Sequence, residues 1–205
     1  MPRDNKTRQN IAETRSNIVD IARLLFMKYG YRAVSTRQIA KACAITQPAL
    51  YHHFPDKEAI YTEVMRQEIG KTKRAFDSIL ERYSELEERL VQLAIYLTLA
   101  VPEDIGQMFR DIQNELNPDT RAEIQSLWHD GYLMPIVSTF TDGFSRGILK
   151  PASDQVPDAV QSAFLLLRLI SRTNPSSLDE KTARREAEMI VGLLLYGLAT
   201  RSRGG

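Results

Sequence analysis

The stretch Ser35 to Lys57, STRQIAKACAITQPALYHHFPDK, limits the fold more than any other part of the chain. It reads as two short helices joined by a tight turn, with a third helix starting directly behind them. Ser35 is a good N-cap, and Gln38 three residues later completes a capping box. Ile39, Ala40 and Cys43 give the first helix one small apolar face. Thr46 caps the second helix, where Pro48 is tolerated because it lies in the first turn. Leu50 and Phe54 can turn back into a core, while Gln47, Tyr51, His52 and His53 remain. Isolated helices shorter than about 12–15 residues are marginal in water, so this pair needs a supporting body. A short helix held out in this way suits insertion into a narrow space such as the DNA major groove.

Charge supports that direction once the chain is divided. The net charge of +1 conceals +7 over residues 1–74 and −6 over residues 75–205. A basic end on an acidic body indicates that one end meets a polyanion. The single cysteine excludes an intramolecular disulfide framework and fits a reducing cytoplasm. Residues 1–15 are polar and carry no signal-peptide pattern, and the apolar runs are far too short to span a bilayer. These features predict a cytoplasmic protein that makes no membrane contact.

Helical periodicity runs along the chain with no competing strand alternation. Ile18, Ala22, Leu25, Phe26 and Tyr29 form one stripe, and Gly30 is placed to end that helix. Asp56 can cap a helix over 57–80, with Gly70 inside it. Further helices are expected over 84–100, 103–115 and 117–146, the last opened by Asn117-Pro118 and kinked by Pro135. Pro151 to Pro157 reads as a loop. Two final helices, 157–173 and 179–201, flank the turn Asn174-Pro175-Ser176-Ser177. The first of these is apolar almost all round, so more than one of its faces must be covered.

The segment from Arg15 to Met65 resembles the DNA-binding domain of the TetR family of bacterial repressors. The resemblance rests on Leu25-Phe26 with Gly30-Tyr31, then Ser35-Thr36, Ile39-Ala40, Cys43-Ala44-Ile45-Thr46, Leu50-Tyr51-His52-His53-Phe54 and Lys57-Glu58. Ala44 departs from it, because the family commonly has Gly at that turn; a positive φ there costs Ala about 1 kcal/mol. The resemblance implies an all-α chain. Residues 1–56 would form a three-helix helix-turn-helix domain, with 1–14 as a flexible arm, and 57–205 a larger bundle for effector binding and dimerisation.

Contacts of such a domain divide into phosphate holders and base readers. Gln47 is the candidate base reader, since a Gln amide can pair with adenine, and Ala49 can approach a thymine methyl. Tyr51, His53 and Lys57 resemble the family's phosphate-contacting positions, with Lys57 at a positive helix N-terminus. Thr36 and Arg37 can reach the backbone from the preceding helix, and Thr46 and His52 lie at the start and on the face of the reading helix. A metal site on His52-His53 is not expected, because adjacent helical residues point about 100° apart. No nucleophile motif or Gly-rich phosphate loop points to an enzyme or a cofactor.

Met65, Leu93, Tyr96, Met108, Ile112, Trp128, Tyr132 and Phe140 offer an apolar and aromatic lining for a small hydrophobic effector. Gln113 and His129 are polar groups that can orient it. Val160, Phe164 and Leu167, with Ala187, Val191, Leu194 and Leu198, are expected on a homodimer interface. The reading is a homodimeric regulator, most simply a repressor, that occupies a palindromic operator of double-stranded DNA until an effector releases it. Two rivals stand beside it: a DNA-binding regulator without a ligand, and an all-α carrier or enzyme whose basic end is incidental.

Overall fold

Capping residues set where most helices begin in the computed structural model, which describes residues 3–100, 111–153, 156–170 and 179–198. Helix α1 (Arg3–Ala33) breaks at Gly30, whose φ of 77° and ψ of 162° fall where a side chain is strongly disfavoured. Helix α2 (Thr36–Ala42) starts from the Ser35–Gln38 capping box, and α3 (Gln47–His53) from Thr46. Helix α4 (Lys57–Arg82) is capped by Asp56 Oδ1, which accepts from the Ala59 N–H at 2.7 Å. Helix α5 (Leu86–Ala100) follows, and the chain is again helical over 111–115. Asn117 Oδ1 accepts from the Thr120 N–H at 2.9 Å and caps α6 (Pro118–Trp128).

The expected long helix over 117–146 is three consecutive segments. After α6 comes a π-helical turn (His129–Leu133), then α7 (Met134–Ser145). Pro135 has no N–H and would crowd the carbonyl of Gly131 in a regular helix. The wider turn, closed by the Met134 N–H on the His129 carbonyl, falls directly before it. Helix α8 (Ala159–Ile170) starts from a capping box. Asp158 Oδ1 accepts from the Gln161 N–H at 2.7 Å, and Gln161 Oε1 accepts from the Asp158 N–H at 3.1 Å. Helix α9 (Glu180–Leu198) is capped by Asp179. The turn expected at 174–177 and most of the helix expected at 103–115 lie outside the described residues.

The chain divides into two compact units: Met1–Ile69 with Asp104–Leu127, and Gly70–Glu103 with Trp128–Gly205. The expected division after Asp56 leaves Lys57–Ile69 and the 111–127 segment out of the first unit, whereas they pack within it. That unit is cored by Ile18, Val19, Ala22, Ile39, Leu50, Phe54, Ile60 and Val64. Phe26, Tyr31 and Tyr61 meet there, with ring centres 4.9–5.8 Å apart. Each such ring removed from water contributes about 1.5–3 kcal/mol, and the edge-on contacts add to it.

In the second unit α9 lies along α5, and α7 packs on α8 and α5. Its core is Phe76, Leu90, Leu93, Ala94, Ile136, Phe140, Ala163, Leu166, Ala183, Ala187 and Val191. Gly143 is needed there for close approach, since a Cβ would meet Leu86 and Leu149 side-chain carbons at 2.8 and 2.9 Å.

Candidate nucleic-acid interface

Ser35 and Gln38 exchange both hydrogen bonds of the capping box. The Ser35 N–H donates to Gln38 Oε1 at 2.8 Å, and the Gln38 N–H donates to Ser35 Oγ at 3.2 Å. Helix α2 ends as the Cys43 N–H reaches the Ile39 carbonyl and the Ile45 N–H reaches the Ala40 carbonyl. Between them Ala44 takes a φ of 55°, the left-handed conformation for which this turn ordinarily uses glycine. The Ala49 N–H then closes on Thr46 Oγ1 at 3.3 Å. Leu50 and Phe54 are buried, which turns the opposite face of α3 outward.

Three candidate DNA-contacting residues meet on that outer face. Thr36 Oγ1 and the Tyr51 hydroxyl lie 3.2 Å apart. Gln47 Nε2 donates to Thr36 Oγ1 at 3.2 Å and to the Tyr51 hydroxyl at 3.4 Å. These bonds from Thr36 and Gln47 favour the phenolate, so the Tyr51 hydroxyl titrates below the ordinary tyrosine range. Arg37, Thr46 and His52 are exposed beside the cluster, and Ala49 and His53 are half-buried. Among the described residues no three His, Cys, Asp or Glu side chains are grouped to hold a metal.

Lys57, expected at a phosphate, is engaged within the protein. Its ammonium donates to the carbonyls of Tyr31 and Val34, each at 3.0 Å, and stands 3.9 Å from the centre of the Tyr31 ring. Burial pushes its pKa down from the usual lysine value. The position at the start of α4 is as expected, but the side chain folds back on the end of α1. Two further residues hold the same region and carried no signal in the sequence. Arg15 sits 3.9 Å over the Phe54 ring and donates from Nη1 to the His53 carbonyl at 2.6 Å, capping α3. Buried Asp111 accepts from the Tyr31 N–H at 2.8 Å, directly after the break at Gly30.

Residues 18–64, which span this helix-turn-helix, match the family described as bacterial regulatory proteins, tetR family. That segment matches the DNA-binding part of the TetR family. Over 59 residues the chain is 42% identical to the HTH-type transcriptional regulator AcrR of Shigella flexneri, covering 29% of this chain and 27% of that protein. Over 77 residues it is 38% identical to the HTH-type transcriptional repressor KstR2 of Rhodococcus jostii, covering 36% and 38% respectively. The matches thus span less than two-fifths of either relative. A crystal structure of AibR in complex with isovaleryl coenzyme A and operator DNA is similar in fold, with a TM-score of 0.68 at 24% identity over 88% of this chain and 97% of that one.

The expected effector-lining residues are distributed between the two units. Met65 and Ile112 are buried in the first unit, and Gln113 is exposed there. In the second unit Tyr132 accepts from Thr72 Oγ1 at 3.0 Å, packs against Phe76 and stacks on Trp128, while Tyr96 meets Phe76 edge-on. Leu93 and Phe140 are fully buried core residues. His129 is exposed, its Nδ1 2.8 Å from Asp130, so it does not point inward as a polar anchor. Met108 lies outside the described residues.

The expected dimer stripe also needs correction. Ala187 and Val191 are buried within their own protomer, in register with Ala183 on the side of α9 that packs inward. Leu194 and Leu167 are half-buried, and the side chain of Leu198 is outside the described residues. The open face of α9 is instead Met189, Leu193 and Tyr196, at i, i+4 and i+7, with Leu193 and Tyr196 71% and 83% exposed. Val160, Phe164, Leu165 and Leu169 are the exposed apolar residues of α8, Phe164 stacking partly on Trp128. Apolar residues occur almost all round the last turns of α9, so periodicity found a stripe without showing which side faced inward. No helix is long and apolar enough to cross a membrane among the described residues.

Proposed function

We propose that this chain is an operator-binding transcriptional repressor that acts as a homodimer and is released by a small hydrophobic effector. The observation that carries the DNA-binding part is the Thr36–Gln47–Tyr51 cluster on the outer face of α3. Its polar atoms are held in place by a helix whose inner face is anchored through Leu50 and Phe54. Arg37 and His52 flank it, and residues 1–74 carry the +7 charge that phosphate neutralisation requires. The homodimer is supported by Met189, Leu193 and Tyr196, large apolar side chains left in water by a single copy. A dimer sets two reading helices about 34–36 Å apart, which makes the operator palindromic.

The effector part is supported by the aromatic group Phe76, Tyr96, Trp128 and Tyr132 in the second unit. Because AibR was crystallised with isovaleryl coenzyme A, the screen of small hydrophobic compounds should extend to short acyl-coenzyme A thioesters, which are larger and anionic. Selection from random duplex DNA should yield a palindrome bound by the full chain. A compound that raises the melting temperature should then weaken operator binding by about 5- to 150-fold, and saturating operator should weaken the compound by the same factor. Failure to enrich any palindrome would refute the operator reading. A stoichiometric ligand with no effect on operator affinity would refute the release mechanism for that ligand.

A further inference from the structure

We propose that Gln47 reads its base through the carbonyl oxygen Oε1 alone, held in that orientation by Thr36 and Tyr51. Its operator position would therefore require an exocyclic amine, that of adenine or cytosine. This rests on the operator-binding reading above. A primary amide carries two hydrogens on nitrogen and two lone pairs on oxygen. Thr36 Oγ1 and the Tyr51 hydroxyl form a triangle with Gln47 Nε2, with sides of 3.2, 3.2 and 3.4 Å, so the amide nitrogen is turned toward these two hydroxyls and Oε1 away from them. Oε1 has no hydrogen-bond partner among the described residues and is left to accept from outside the protein.

The paired contact between a Gln amide and adenine needs Nε2 to donate to N7 while Oε1 accepts from the N6 amine. Here the nitrogen is turned to two protein hydroxyls, and swinging it to the base would break those hydrogen bonds to form one. What remains is an acceptor. In the major groove an acceptor meets hydrogen at adenine N6 and cytosine N4, whereas guanine and thymine present acceptor atoms at the corresponding edge. On the strand it contacts, Gln47 thus separates adenine and cytosine from guanine and thymine. Thr36 and Tyr51 are positioning residues for that choice, acting through the amide whatever they do at phosphates.

Chemically altered bases test this with the unmodified full-length protein. The palindrome is selected first, and the position whose preference relaxes in Gln47→Ala is located. If adenine stands there, replacing it with purine, which lacks the amine, should cost about 3- to 10-fold in affinity, as for one hydrogen bond. Replacing it with 7-deazaadenine, which lacks N7, should leave affinity within about twofold. If cytosine stands there, 2-pyrimidinone takes the place of purine. Thr36→Val and Tyr51→Phe should relax preference at this same position, and Thr36→Ser should restore it. Equal losses with purine and 7-deazaadenine would overturn the proposal in favour of the paired contact. Undiminished affinity when the amine is removed would overturn it as well, by showing that the carbonyl accepts nothing from the base. If no palindrome is selected, the operator reading itself fails and takes this inference with it.

Discussion

Replacing Lys57 with methionine keeps the aliphatic stem but removes the ammonium, and so separates two roles for this side chain. The ammonium donates to the Tyr31 and Val34 carbonyls at 3.0 Å and lies over the Tyr31 ring at 3.9 Å. A hydrogen bond to a charged group is worth about 1.5–3 kcal/mol where water is excluded. Lys57 is only half-buried, so about 1 kcal/mol for each bond survives competition from solvent. The ring contact adds about 0.5–1 kcal/mol. Relief of the desolvation that lowers the ammonium pKa returns part of this, leaving a loss of about 2 kcal/mol. Urea unfolding of the full chain, followed by helical circular dichroism, should show it. With a slope of about 2–3 kcal/mol/M the midpoint should fall by about 0.7–1 M. The salt dependence of operator binding should stay unchanged in slope, because no phosphate contact is lost. A variant with unaltered urea midpoint and a salt slope reduced by about 0.9 would refute this reasoning and return Lys57 to the phosphates.

Two opposite exchanges test the backbone argument. Ala44→Gly relieves a left-handed alanine at an exposed turn and should stabilise the chain by about 0.5–1 kcal/mol, net of the extra freedom of glycine when unfolded. Gly70→Ala should also stabilise by about 0.5–1 kcal/mol, since the added Cβ meets only the flexible Arg74 guanidinium at 3.4 Å; a lower urea midpoint in either variant would contradict its argument. Leu193→Arg should give a folded monomer in sedimentation with weakened operator binding, whereas Val191→Arg should unfold the protomer because its site is fully buried. A Leu193→Arg protein that stays dimeric would remove the outer face of α9 from the interface.

The features legible in the sequence are those whose causes lie within a few residues. Ser35 with Gln38, Thr46, Asp56 and Asn117 each cap a helix through a partner three residues along, so spacing alone located them. The break at Gly30 was legible for the same reason, whereas the left-handed turn at Ala44 was signalled only by the family resemblance, which places Gly there. Lys57, Arg15 and Asp111 were not legible, because each finds its partner through tertiary packing. Lys57 reaches back 26 and 23 residues, and Arg15 reaches forward 38. Helical periodicity marked α9 as apolar, but the choice between Val191 inward and Leu193 outward depends on where α5 lies. Pro135 announced a disturbance, while its resolution as a π-helical turn depends on how the neighbouring carbonyls are satisfied.

The bond between the Tyr31 N–H and Asp111 joins residues 80 apart. On a ribosome adding about 5–20 residues per second, the acceptor is made about 4–16 s after the donor. For the later part of that interval the nascent N-terminal end has α1 to α3 but lacks the carboxylate that later secures the end of α1. Synthesis order and assembly order therefore differ, and the first unit is finished by a segment made long after its helix-turn-helix. A fragment ending at Ile69 would reproduce the early nascent state, with the Tyr31 N–H hydrated instead of held by Asp111. Operator affinities measured on such a fragment would describe a looser reader than the full chain.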